Sequence, residues 1–181
     1  TVLFHEEQKE ALQRRENQDT GTFSLLRELD IFKPLKNDEL TNLLTNGKRK
    51  MYQTRETIIK QNDPGDSFFL IEDGYVSIWV EDTSTKSNVK IRVLERGDFF
   101  GEMSLLTGEK RQATIKTESD VEVFEIEKTP FSEIVLKNPE IIEKLTKILT
   151  DRQLKNKDLL KQASKQLMGT TREEISSTLL R

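Results

Sequence analysis

The sequence predicts a mainly β protein with flanking α-helices: an eight-stranded β jelly-roll barrel with N-terminal helices and C-terminal lid helices. Three observations predict it. Over residues 48–126 apolar residues recur with period two in short runs, turn signals part those runs at even spacing, and on either side the period becomes helical.

Residues 1–22 are mostly Glu, Gln, Lys and Arg and read as a solvated arm or connector. From Phe23 the apolar spacing of Leu25, Leu26, Leu29, Ile31 and Phe32 predicts a short helix that ends before Pro34. Asn37 reads as the cap of a second helix, with Asp38 and Glu39 in its first turn, a stripe of Leu40, Leu43 and Leu44, and Gly47 as its stop. Strands follow at 57–59, 67–72, 75–80, 89–93, 113–117 and 121–123 within 48–127, the second of them holding the longest apolar run, 68–71. Asp63-Pro64-Gly65-Asp66, Asp73-Gly74, 82–88, Arg96-Gly97 and 118–120 supply the turns, in which Gly65 and Gly74 read as turn formers. After Pro130 the helical period returns, and Asn138-Pro139-Glu140 opens a helix whose stripe is Ile141, Ile142, Leu145, Ile148 and Leu149. Gly169 reads as its break. The domain is therefore placed at 23–165, with a helical leader 23–46, the barrel at 48–127, C-terminal helices at 130–165 and a polar tail at 166–181.

Composition narrows the function. The chain has 181 residues, enough for one cored domain, and a net charge of -3, which argues against a general cationic surface for nucleic acid. There is no cysteine, and His5 is the sole histidine. Thiolate catalysis, a histidine triad and a histidine or cysteine metal site thus lack their residues, and neither P-loop nor kinase motif occurs, so the expectation is no enzyme, no catalytic residue, no metal and no cofactor. No apolar run is long enough to span a bilayer.

One segment carries chemistry. In 97–116, Glu102 and Arg111 stand at either end of a stretch of small and apolar residues. Gly101 allows close backbone approach to a ligand, and free N–H groups in a helical turn after it would face an anion. Arg111 offers a fork of donors suited to two phosphate oxygens, whereas Glu102, an acceptor, suits a hydroxyl. Together they describe a ligand with one compact phosphate beside a ribose hydroxyl, the shape of a cyclic nucleotide.

Residues 100–115, FGEMSLLTGEKRQATI, resemble the phosphate-binding cassette of the cyclic-nucleotide-binding domain family in unbroken register. The likeness extends over roughly 23–165, through Pro64-Gly65-Asp66, the 71–74 turn and Val76. The resemblance implies that Glu102 takes the ribose 2′-hydroxyl and Arg111 the phosphate, while the backbone N–H groups of Ser104 and Gln112 complete the cradle, with Gly101, Met103 and Ala113 alongside. It implies a lid helix over the base, here the one from Asn138, presenting Leu145, Leu149 and Arg152. Two positions depart from the family's pattern. Lys110 stands where proline is frequent, and Gln112 where Ala, Ser or Thr is usual, at a position linked to base preference.

The ligand expected is cAMP, with cGMP the alternative. The function expected is a regulatory sensor of an ion channel or transporter, with the effector domain in the same full-length chain, in the cytoplasm, tethered to the inner membrane through segments outside this stretch. The ends of the chain resemble those of cyclic-nucleotide domains on bacterial, mechanosensitive-channel-like ion channels. A homo-oligomer is compatible with this, and no nucleic acid is contacted by these residues. The alternatives are a truncated catabolite-activator-like transcription regulator and a non-binding interaction module.

Overall fold

The computed structural model describes residues 2–179. Helix α1 runs over Val2–Glu28, followed by a 3-10 turn at Asp30–Phe32 and helix α2 at Asn37–Asn46. Strands β1 Lys48–Tyr52, β2 Thr57–Ile59, β3 Ser67–Asp73, β4 Val76–Glu81, β5 Asn88–Leu94 and β6 Phe99–Phe100 lead into the short helix α3 at Glu102–Thr107. Then come β7 Thr114–Thr117, β8 Val121–Glu127, α4 Lys128–Lys137 and α5 Pro139–Leu179.

The eight strands form two four-stranded antiparallel sheets, ordered β1-β8-β3-β6 and β2-β7-β4-β5. Strand number agrees with expectation; a closed barrel does not form. Strand β6 holds only Phe99 and Phe100, and at Gly101 the backbone turns left-handed (φ 87°) into α3, so no ladder continues from it to the second sheet.

Strand β3 explains how the layers stack. Phe69 and Ile71 face the second sheet and pack with Ile78, Phe100, Ile115 and Val123. Phe68 and Leu70, on the other face, pack with Phe32, Leu40, Phe131, Ile141 and Leu145 from the helices. A strand covered on both faces reads as a continuous apolar run instead of an alternating one. That is the physical reason for the run at 68–71.

The helices depart from the sequence in three ways. The arm and the predicted short helix from Phe23 are one helix, α1, in which Leu26 and Thr22 are buried on the same side while residues 5–18 stay in solvent. The cap of α2 is Lys36 instead of Asn37: its backbone N–H donates to Glu39 Oε2 at 2.9 Å, and Asn37 accepts from Arg27. Helix α5 passes through Gly169 to Leu179. A single glycine costs a helix about 1 kcal/mol, too little to stop it. Gly47 ends α2 as expected, its N–H bonded to Leu43 O at 2.9 Å.

Candidate functional site

The chain leaves β6 at Gly101, where two demands require glycine. Its φ is positive, and a Cβ there would stand 2.6 Å from Ser67 O and 3.0 Å from Arg111 Nη1. Helix α3 then carries Glu102, Met103 and Ser104, and ends at Gly108, also left-handed (φ 70°).

Arg111 returns to this point from the loop before β7. Its guanidinium is buried, and Nη1 donates to Ser67 O at 3.0 Å and Gly101 O at 2.9 Å, with Phe69 beneath its plane. Its hydrogen bonds thus go to carbonyls, which orient the group without neutralising it. Burial lowers its pKa from the usual arginine range, against the opposing pull of Asp66, Glu102 and Glu125.

Glu102 is 3% exposed and is held from the other side. Arg152 of α5 donates to Glu102 Oε1 at 2.5 Å and to Phe99 O at 3.2 Å, its guanidinium 4.0 Å above the Phe99 ring. Helix α5 is thereby tied to α3 by a charged hydrogen bond.

These groups line one cavity of about 360 Å³, a size suited to a small ligand. Ile59, Ile78, Ile115 and Ala113 form its apolar side, α3 and Arg111 one end, and Arg152, Asn156 and Leu160 of α5 the roof. Three buried polar atoms on its lining have no hydrogen-bond partner among the described residues: Ser104 Oγ, Arg92 Nε and Asn156 Oδ1. The other such buried atoms, Arg49 Nε, Glu72 Oε2 and Glu125 Oε2, all stand in ion pairs. Buried polar groups are rarely left unpaired, so these three offer hydrogen bonds to whatever fills the cavity, water or ligand. Arg92 adds a charge argument: burial, then the neighbouring Arg152, lower its pKa.

Seven of the sequence-predicted residues meet here: Gly101, Glu102, Met103, Ser104, Arg111, Gln112 and Ala113 all border the cavity. Gln112 is exposed and its amide donates to Glu109 Oε2 at 3.1 Å. Of the expected lid residues, Arg152 reaches the cavity, whereas Leu145 and Leu149 do not. Leu145 is buried in the helical core, and Leu149 lines a separate groove beside Met103 and Ile142. All three lie on one stripe of α5, but its first turns cross α4 and the 3-10 turn before the helix reaches the cavity mouth.

Sequence reasoning missed Arg92 and Asn156. Alternation of Val89, Ile91 and Val93 would send Arg92 outward. A bulge at Ile91, opposite the step from Ile78 to Trp79, breaks the register, so that Ile91 and Arg92 both border the cavity while Val93 is exposed. Asn156 had a signal, since it lies one helical turn beyond Arg152 on the same face.

Comparisons agree with this geometry. Residues 49–138 match the family model described as the cyclic nucleotide-binding domain. The chain is 34% identical over 113 residues to a cGMP-dependent protein kinase of Toxoplasma gondii, a match covering 62% of this chain and 11% of that protein. It is 32% identical over 110 residues to a cAMP-dependent protein kinase regulatory subunit of Colletotrichum orbiculare, covering 61% of this chain and 27% of the relative. The chain thus spans about a tenth and about a quarter of these curated relatives. The regulatory domain of Toxoplasma gondii PKA, solved with cAMP, shares the fold: TM-score 0.64 over 80% of this chain and 51% of that one, at 20% identity. The expected bacterial channel finds no support in these relatives, and no helix among the described residues is long and apolar enough to cross a membrane.

Proposed function

We propose, from the match of residues 49–138 to the cyclic nucleotide-binding domain, that the cavity takes a 3′,5′-cyclic purine nucleotide and that its occupancy regulates an effector. The observation that carries the reading is Arg111: a buried guanidinium held in place by carbonyl oxygens, its charge left for a ligand. One phosphate with a single negative charge supplies what it lacks. Glu102 accepts from the ribose 2′-hydroxyl, and the Ser104 and Gln112 N–H groups join Arg111 on the phosphate.

The base then lies between the apolar wall and α5, within reach of Arg92 and Asn156. The sequence favoured cAMP, but Gln112 turns its amide to Glu109, so the choice of base passes from the cassette to these two side chains. Both purines fit a donor beside an amide. Regulation follows from Arg152: the ligand's ribose shares Glu102 with the lid helix, so binding redistributes α5 between positions by its difference in affinity for them. A kinase-type effector fits the named relatives better than the channel read from the ends of the sequence.

Calorimetry with cAMP, cGMP and 5′-AMP tests the reading. A cyclic nucleotide is expected to bind in the micromolar range and AMP weakly, because its open phosphate carries a second charge. Arg111→Ala is expected to cost about 2–5 kcal/mol of binding, the range for removing one partner of a buried charged pair. Equal binding of AMP, or no effect of the substitution, refutes it.

A further inference from the structure

Gly65 reads in the sequence as a turn former, yet its backbone does not need glycine. Among the glycines, Gly74, Gly97, Gly101 and Gly108 have positive φ, and Gly65 does not. What Gly65 lacks room for is a side chain. A Cβ built on it would overlap Arg111 Nε and Cζ and lie 2.6 Å from Arg111 Cδ. A long side chain usually swings aside from such a contact at little cost. This one is pinned at its far end by Ser67 O and Gly101 O, and it lies buried.

The same turn also fixes the Arg111 backbone. Arg111 N donates to Asp63 O at 2.8 Å, and Asn62 N donates to Arg111 O at 2.8 Å. Asn62 itself is left-handed (φ 72°), which turns the chain between its own N–H and the Asp63 carbonyl, the two groups bonded to Arg111. Backbone is thus held by residues 62 and 63, the side-chain stem lies against Gly65, and the guanidinium is held by residues 67 and 101. Each contact point adjoins the next along the arginine.

We propose that Gly65 is a positioning residue for ligand binding: it is the bare surface on which the Arg111 side chain lies, and its missing side chain sets where the guanidinium points. The proposal rests on the reading of Arg111 as the phosphate ligand only for its effect on affinity. Its steric part stands on the contacts alone.

The test is a double-mutant cycle with Gly65→Ala and Arg111→Ala, each variant followed by thermal unfolding without ligand and by calorimetry with cAMP and cGMP. Gly65→Ala in the parent chain is expected to lower the thermal midpoint and to weaken cyclic nucleotide binding by about ten- to a hundredfold, the scale of a misplacement of about 1 Å. In the Arg111→Ala background the same substitution is expected to change neither quantity, because the overlapping group is gone. An equal fall in midpoint in both backgrounds would make Gly65 a turn former and overturn the proposal, as would unchanged affinity in Gly65→Ala alone. Should Gly65→Ala fail to fold, a folded double variant supports the proposal and an unfolded one overturns it. If Arg111→Ala leaves affinity unchanged, the function assigned to the cavity fails, while the thermal cycle still decides the seat.

Discussion

Arg92 and Asn156 offer opposite chemistries to a purine. An arginine is a donor only, suited to guanine O6 and N7, whereas an amide pairs with adenine N6 and N7. Arg92→Ala is therefore expected to weaken cGMP more than cAMP, and Asn156→Ala to do the reverse, each by about 1–3 kcal/mol of discrimination. Parallel titrations of both nucleotides check it; equal losses for both bases would place the base elsewhere. Legibility at this scale divides by the kind of constraint involved. Glu102 and Arg111 could be read because a contiguous loop fixes their register. Arg92 could not, since a bulge at the residue before it decides which way it faces, and Gly65 could not, since its constraint is another side chain.

Helix α5 shows what periodicity does and does not carry. The stripe from Ile141 through Leu145 to Arg152 is one face by spacing, and the structure keeps it as one face. Height along the helix is set by the elements it crosses, which no local pattern encodes. Leu145 belongs to the core and Arg152 to the cavity, so substitutions are expected to separate stability from binding. Leu145→Ala should cost about 2–5 kcal/mol of folding stability, the range for a buried leucine, with cyclic nucleotide affinity of the folded fraction unchanged. Arg152→Ala should move affinity or the position of α5 with a smaller loss of stability. Denaturant unfolding beside calorimetry distinguishes them, and an affinity loss in Leu145→Ala equal to that in Arg152→Ala would show that the helix acts as one unit. The α2 cap shift and the passage of α5 through Gly169 have a similar source: local signals bias helix ends, and packing or length overrides them.

Across the molecule, the two apolar clusters meet at β3, and one buried acid at its end joins α1 to the sheet. Glu72 accepts from Thr22 of α1, lies 3.3 Å from Arg49 Nε, and has Arg96 bonded to its backbone carbonyl; Arg49 also reaches Asp19 at 2.8 Å. Thr22 has a single proton and two acceptors in reach, Gln18 O and Glu72, while it accepts from Arg49. When Glu72 takes up a proton the direction reverses and all of them are satisfied: the acid donates to Thr22, and Thr22 to Gln18 O. Burial raises the Glu72 pKa above its ordinary value near 4.5, with Glu122 adding and Thr22, Arg49 and Arg96 opposing. The folded protein then holds this proton more tightly than the unfolded chain. Its contribution to stability is complete below the ordinary glutamate value and is lost as pH rises through the folded-state value. Glu39, Glu118 and Glu127, whose pKa values are lowered by hydrogen bonds, contribute with the opposite sign, so only a difference isolates Glu72. Glu72→Gln keeps a donor for Thr22 and cannot ionise. The midpoint of Glu72→Gln minus that of the parent is therefore expected to rise with pH from the ordinary glutamate value upward. A difference that stays flat would mean that Glu72 titrates as an ordinary surface acid and that α1 is held by Arg49 and Asp19 without it.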